Sequence, residues 1–380
     1  MRHHRYHPEF SFVKDPVDFN KYTERQLLKY CLGATMYMPG TKDFAQSIIN
    51  KRYPGLTSMV LCFEDACRLE DVPMAEQNAL TLLNRLLHEV EEGSLAFDDI
   101  PLIFFRPRNV EQFKHFAKLL EPEHYRLICG FNFPVFNSEN GEAYMSHLEA
   151  LNREVGEVVY AMPILEDQRI AFKETRLEEL LAVRAILDRY HDLVLNIRVG
   201  GTDFSSYFSV RRGINYTIYD IMTVTDCLKD ILNLFARNND YTVSGAVWEY
   251  FRASKEMRFQ ELPDFDFQES LIKRHPIVND AVDGLMRELI LDKANGFVGK
   301  TIIHPSHLNF VNAMFAVTRE EFEDATQILN TSGGVIKSST ANKMNEIEPH
   351  RNWAQKLIYR AQAYGVIENQ TDYLNLIGSY

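Results

Sequence analysis

The stretch Glu157–Phe204 reads EVVYAMPILEDQRIAFKETRLEELLAVRAILDRYHDLVLNIRVGGTDF. Two near-continuous apolar runs, Glu157–Leu165 and Leu193–Val199, flank a segment, Leu177–Tyr190, whose apolar residues recur every three or four positions. Runs of that kind predict strands buried on both faces, and the spacing between them predicts an amphipathic helix packed across them. Together they form the strand–helix–strand unit of a parallel sheet. Acidic residues follow each run: Glu166 and Asp167 after the first, and Asp203, beyond Gly200-Gly201, after the second.

The same rhythm extends both ways. Upstream, Ala34–Met38, Ser58–Phe63, Pro101–Phe105 and Arg126–Phe131 read as strands. Helical patterns follow from Thr41, over Met74–Glu91, through Phe113 and Phe116, and over Glu142–Glu154. Downstream come a helix over Ile218–Ala236, a weak seventh strand over Thr242–Trp248, a helix over Asp280–Leu291 and an eighth strand over Lys300–His304. Eight such units predict an α/β chain folded as a closed TIM (β/α)8 barrel. An open doubly wound sheet is the alternative, but the first strand-to-helix turn, MPGTKD, lacks a glycine-rich phosphate fingerprint. The chain divides on this pattern into an N-terminal extension (1–30), the barrel (31–330) and a C-terminal loop and helix (331–380). The C-terminal helix, over Arg351–Tyr364, is placed to pack on a neighbouring subunit.

Bulk properties narrow the partners. The 380 residues carry a net charge of −12, which repels a phosphate backbone and argues against nucleic acid. Five dispersed cysteines show no zinc-site spacing; Cys62 and Cys129 sit in apolar runs, as free thiols of a reducing cytoplasm do. No apolar run approaches the roughly 18–20 residues of a membrane span, and MRHHRYHPEFSF has no hydrophobic leader core. His3, His4 and His7 read as part of a polar tail.

In a parallel barrel the chemistry collects where strands end. Glu64 and Asp65 follow the second strand, Arg106 and Arg108 the third, Glu166 the fifth, Asp203 the sixth and His304 the eighth. Glu166 and Asp203 follow adjacent strands and suit a hard cation such as Mg²⁺, which stabilises an enolate as a Lewis acid. Arg106 offers a bidentate fork to a carboxylate, and Glu64 and Asp65 would orient it or metal-bound water. Arg108, Gly201 and Thr202 complete the substrate-binding candidates. Plain readings stand beside these. A Glu-Asp pair after a strand caps the next helix, arginines before a helix lie on the surface, and His304 satisfies backbone groups. Arg198, Arg211 and Arg212 read more readily as a solvated charge cluster than as an anion site. Gly200-Gly201 marks backbone that excludes a side chain. No G-x-S-x-G, P-loop or H-E-x-x-H pattern occurs.

Six segments in order, YMPGTKDF, MVLCFEDAC, FFRPRN, MPILED, GGTDF and GFVGKTIIHPSHLNFVN, resemble the motifs of the citrate lyase beta-subunit-like family. That family belongs to the pyruvate/phosphoenolpyruvate-binding barrels. The resemblance spans Ala34–Gly365, and this long version most resembles the C–C bond lyases of bacterial tellurite-resistance gene clusters. It implies a Mg²⁺-dependent (or Mn²⁺-dependent) carbon–carbon lyase or aldolase, working through a metal-stabilised enolate of an oxo-acid or a CoA thioester, and a homotrimer or higher oligomer. Under it, Glu166 and Asp203 hold the metal, Arg106 binds a substrate carboxylate or carbonyl oxygen, and Glu64-Asp65 form the acidic pair beneath the metal. Glu346, in NKMNEIEPH, replaces an aspartate that reaches an active site, often a neighbour's. Two further departures stand out: Ile164 where relatives carry lysine, and Gly245 near the place of an expected aspartate in the seventh strand. A non-catalytic ligand-binding or scaffold barrel in a biosynthetic or stress-resistance assembly is the alternative function. Specificity would lie in Ser205–Tyr216 and Asn238–Phe267.

Overall fold

The computed structural model describes residues 1–252 and 267–378, so part of the Asn238–Phe267 segment lies outside the described residues. Within them, seven parallel strands form one sheet: β1 (Ala34–Pro39), β2 (Ser58–Cys62), β3 (Leu102–Arg106), β4 (Ile128–Phe133), β5 (Tyr160–Leu165), β6 (Arg198–Val199) and β7 (Lys300–Ile302). Their order, β6-β5-β4-β3-β2-β1-β7, follows the chain except that β7 returns to pair with β1. Every residue of β2, β3, β4 and β5 is buried, which is why these strands read as continuous apolar runs. Helices cover the outside, and Lys173–Arg189 turns Leu180, Val183, Ile186 and Leu187 inward. Between β3–β4 and the outer helices the aromatic rings interlock: Phe113 lies 4.7 Å from Phe131 and Phe133 4.3 Å from Tyr144, centroid to centroid. Each such pair adds about 0.5–1.5 kcal/mol beyond its buried area.

The expected seventh strand, Thr242–Trp248, is not a regular strand. It closes the wall between β6 and β7 by two single parallel bridges, Val243 to Ile197 and Gly245 to Lys300. Backbone hydrogen bonds on both sides support them, from Ser244 to Ile197 (2.9 Å) and from Gly245 to Gly299 (3.0 Å). A Cβ on Gly245 would lie 2.6 Å from Oδ2 of Asp292. That space is held by the carboxylates of the helix Asp280–Asn295, which meet Lys300 Nζ at 2.7 Å (Asp292) and 2.9 Å (Glu288). All three side chains are fully buried. Burying these charges is tolerable only because they are paired and hydrogen-bonded in place.

The first thirty residues are not a loose polar tail. Met1, Phe19 and Leu28 join the main core. His3 and His4 are buried, and His3 bonds the Cys31 carbonyl (2.9 Å) and stacks on Tyr364 at 4.4 Å. At the other end, β8 (Val317–Thr318) leads into the helix Arg319–Asn330. β9 (Val335–Lys337) and β10 (Met344–Glu346) then form an antiparallel hairpin before the helix Ile347–Tyr364. That helix, which a short helix, Asp372–Ile377, follows, starts four residues before the one expected over Arg351–Tyr364. It packs on Arg319–Asn330 through a second small core of Val317, Ala325, Ile328, Leu357 and Ala361, and β11 (Val366–Ile367) pairs with β8. All five cysteines are free and buried. No helix among the described residues is long and apolar enough to cross a membrane.

Candidate active site

Sheet register assembles the site. Ile164 pairs with Arg198 and Leu165 with Val199, so Glu166 and Gly200 emerge side by side at the C-terminal rim. Cys62 pairs with Arg106 two strands away. The Gly200 backbone has room for no side chain. A Cβ there would lie 2.6 Å from Oε2 of Glu166 and 2.7 Å from Oδ2 of Asp203. The two carboxylates thus converge over one α-carbon, and the glycine that sequence spacing marked is what lets them meet.

Glu166 is nearly inaccessible to solvent. Its Oε1 accepts from the Val135 backbone N–H (2.9 Å) and from Arg106 Nη2 (3.1 Å). Val135 holds that N–H in place with a left-handed backbone, φ 45°, which is costly for a β-branched residue and common where function constrains the chain. The Asn140 amide secures the turn by donating to the Val135 carbonyl at 2.9 Å. Burial raises the Glu166 carboxyl to about 8; Arg106 opposes the shift, and Asp203 and Glu64 reinforce it. Asp203 is also pushed up, by burial and then by Asp65, and Glu64 by burial against the pull of Arg106.

Arg106 is buried and bridges three acids: Glu64 at 2.7 Å, Asp65 at 3.0 Å and Glu166 at 3.1 Å. Burial works against its charge, but Glu166 and the neighbouring groups keep it firmly protonated. Four carboxylates around one guanidinium leave the rim short of positive charge, and two oxygens already converge at Gly200. The donor set therefore fits a hard divalent cation taking Glu166 and Asp203 plus water and ligand oxygens. No group of three or more acidic, histidine or cysteine side chains arranged for a metal occurs among the described residues, so the chain itself would supply two ligands.

The cavity above, about 730 Å³, is lined by Tyr37, Asp65, Arg106, Glu166, Arg198, Gly201, Thr202, Asp203, Glu249 and Thr301, among others. That volume is typical of a small-molecule site. Other sequence candidates lie elsewhere. Arg108 Nη1 donates to the carbonyls of Phe63, Glu64 and Cys67 at 3.0, 3.1 and 2.9 Å, so it ties down the loop that carries Glu64 and Asp65 and does not line the cavity. Asp167 takes the plain role: it caps the short helix Gln168–Ala171 through the Arg169 N–H at 2.8 Å. His304 stacks on Phe251 at 4.0 Å and bonds Ser306, outside the lining. Glu346 is exposed on β10, away from its own chain's cavity. Arg198 and Arg212 are buried, not solvated; Arg212 pairs with Glu249 and Glu288, whereas Arg211 is exposed.

Several lining residues escaped the sequence reading, among them Lys42, Thr301, Tyr37 and Glu249. Tyr37 points inward from the middle of β1, where a rule that looks only past strand ends does not search. Glu249 follows the seventh segment directly and receives the Thr202 hydroxyl at 3.3 Å. Looking just past the end of that segment, read to Trp248, would have found it; its other carboxylate oxygen pairs with Arg212.

A family model described as a C–C bond lyase of the TIM-barrel fold matches residues 26–366. Among solved structures, the CitE protein of Mycobacterium tuberculosis in complex with magnesium, acetoacetate and coenzyme A is 14% identical. It covers 88% of this chain and 99% of its own, with a TM-score of 0.51, a likeness of fold. Haloferax volcanii malate synthase as a magnesium/glyoxylate complex is 12% identical over 90% of this chain and 91% of its own, TM-score 0.48. The citrate lyase beta subunit of M. tuberculosis with oxaloacetate and magnesium is 15% identical over 74% and 95%, TM-score 0.42. No curated protein sequence matches.

Proposed function

The chain belongs to the C–C bond lyases of the TIM-barrel fold, and from that premise we propose that it is a Mg²⁺-dependent lyase or aldolase cleaving or forming a carbon–carbon bond beside a carbonyl. The observation that carries this reading is the convergence of Glu166 and Asp203 on Gly200 next to Arg106. Glu166 and Asp203 would hold Mg²⁺ (or Mn²⁺), which would supply Lewis-acid stabilisation of substrate oxygen there. The chain's own groups do the rest. Arg106, fixed by Glu64 and Asp65, binds the substrate carboxylate or carbonyl oxygen. Gly201 and Thr202 shape the cavity wall beside it. A rim carboxylate exchanges the proton with the substrate carbon: Glu249, held by Arg212 and Thr202, within one chain, or Glu346 in a neighbouring subunit's site if the chain assembles as a homotrimer or larger.

The substrate is an oxo-acid or CoA thioester, and the setting a tellurite-resistance gene cluster in the cytoplasm. That M. tuberculosis CitE was crystallised with magnesium, acetoacetate and coenzyme A supports this choice of probes. The test is exchange of the α-protons of pyruvate or acetyl-CoA with solvent, followed by NMR. Exchange is expected with Mg²⁺ and lost in Glu166→Ala. Exchange that survives chelation, or that survives Glu166→Ala, overturns the reading.

A further inference from the structure

Four arginines among the described residues are buried: Arg106, Arg176, Arg198 and Arg212. Three are neutralised by at least two carboxylates each: Arg106 by Glu64, Asp65 and Glu166, Arg176 by Asp226 and Asp230, and Arg212 by Glu249 and Glu288. Arg198 pairs with no acid among the described residues. Its Nη1 donates to the hydroxyls of Thr35 (3.2 Å) and Ser244 (3.3 Å), and its Nη2 to that of Thr301. The guanidinium carbon lies 5.7 Å from the Tyr37 ring centroid, and Nε has no hydrogen-bond partner, as is also the case in Arg106 and Arg212. Hydroxyls orient a cation without neutralising it, and a buried charge left unneutralised costs several kcal/mol. A well-filled structural arginine would carry a counter-ion as its three counterparts do.

The location gives that missing anion a source. Arg198 lines the same cavity as Arg106, Glu166 and Asp203, together with Tyr37 and Thr301. It enters from β6 and points across the barrel toward β1, the seventh segment and β7, whereas Glu64, Asp65, Glu166 and Asp203 follow β2, β5 and β6. The one lining acid beyond the seventh segment, Glu249, is paired with Arg212. The cavity therefore has two buried cationic poles, with the Tyr37 phenol in the field of both arginines, besides the exposed Lys42 at its edge. A monocarboxylate engaging Arg106 and the Glu166–Asp203 pair leaves the second pole unanswered.

We propose that Arg198 is a specificity-determining residue that binds a second oxyanion of the substrate, so that this enzyme acts on a small oxo-acid with a carboxylate or phosphate-type group at its far end. The inference rests on the lyase reading above and narrows its substrate class. The substrate spans the barrel mouth, one end held by Arg106 and the metal pair, the other by the Arg198 fork with Tyr37 against it.

Calorimetric titration in the presence of Mg²⁺ tests it with three probes: pyruvate, oxaloacetate (a second carboxylate) and phosphonopyruvate (a phosphonate in its place). The full-length protein is expected to bind at least one of the two dianions about tenfold or more tighter than pyruvate, the range for hydrogen bonds to a charged group. Which dianion binds better identifies the second group. Arg198→Met should bring the preferred dianion to the pyruvate level while pyruvate itself changes less than about twofold. Arg198→Lys, which keeps the charge and secures folding if the methionine variant is unstable, should restore part of the preference. Equal affinity of the wild type for all three probes overturns the inference and leaves the lyase reading standing. So does a loss that Arg198→Met inflicts equally on pyruvate and dianion. Dianion preference that depends on Arg198 but is indifferent to Mg²⁺ and to Glu166→Gln overturns the lyase reading and keeps the second pole. Binding of none of the three probes overturns both.

Discussion

Arg106 Nη2 lies 3.1 Å from Oε1 of Glu166, while Oε2 of the same carboxylate turns to Asp203 over Gly200. One carboxylate is thus shared between a fixed cation and a second acid. It is held at about 8, chiefly by burial, and a divalent ion would occupy the side that Arg106 leaves open.

The shift has a sign that can be checked. With the folded carboxyl near 8 and the ordinary value at 4.5, the metal-free fold holds a proton that the unfolded chain releases. Glu166 therefore contributes stability fully below about pH 4.5, and this contribution is lost as pH rises toward 8. Urea unfolding of the metal-free protein should show stability declining from pH 5 to 8, and Glu166→Gln should flatten the decline. Mg²⁺ must displace that proton, so its affinity should rise with pH, about tenfold per unit below 8, with proton release measurable by calorimetry in two buffers. A pH-independent Mg²⁺ affinity would count against this arrangement.

Gly200→Ala tests the convergence. The new Cβ would meet Glu166 Cβ at 2.4 Å as well as both carboxylate oxygens, and the Cβ contact cannot be relieved by rotating a side-chain tip. Stability should fall by about 1–3 kcal/mol from overpacking, and Mg²⁺ affinity by about 10–100-fold as the ligands part. Unchanged Mg²⁺ binding in a folded variant would mean the pair is not the metal site.

Arg108→Ala should separate loop support from substrate binding. Three carbonyls lose their shared donor, so thermal unfolding should show a loss of about 2 kcal/mol, and turnover should fall with Glu64 and Asp65 less well fixed. The affinity for small carboxylates in a folded variant should change far less than in Arg106→Ala. Equal losses in both variants would return Arg108 to the substrate.

His3 predicts acid sensitivity remote from the site. Burial lowers its imidazole from 6.5 to about 3, so the unfolded chain takes up a proton that the folded chain refuses. Stability should fall as pH drops from 6.5 toward 3. His3→Phe keeps the stacking partner of Tyr364 and should reduce that slope, read from thermal midpoints at pH 7 and 5. An identical slope in the variant would remove His3 from the account.

The legible parts of the molecule were those written in consecutive residues. Parallel strands covered on both faces leave unbroken apolar runs, so β1 to β5 and the residues at their ends, Glu64, Arg106 and Glu166, stood out from spacing. Of the sixth run, Leu193–Val199, only Arg198–Val199 is strand, Leu193 ending a helical turn and Val194 making a single bridge to Ala161, with Asp203 following it. The seventh wall segment did not, because what shapes it is Asp292, contributed by a helix nearly fifty residues later and clasped by Lys300. Arg198 was misread for a related reason. Arginine is usually solvated, and nothing in the local sequence tells that Thr35, Ser244 and Thr301 converge on it. His3 was misread because its burial depends on Tyr364, at the far end of the chain.

The single bridges that close the wall at Val243 and Gly245 carry a mechanical consequence. Five backbone hydrogen bonds join this seam to its neighbours, Ile197 to Thr242, Ser244 to Ile197, Val298 to Val243, Gly245 to Gly299 and Thr301 to Gly245, but it forms no ladder of consecutive pairs such as joins β1 to β2 and β2 to β3. It runs into Glu249 at the cavity rim and faces Arg198 through Ser244. Breathing of the barrel should concentrate there. In native-state hydrogen exchange the amides of Ser244 and Gly245 should open before those of β2 and β3, so the cavity would widen or tighten from the Arg198 side while the Glu166–Asp203 side keeps its shape.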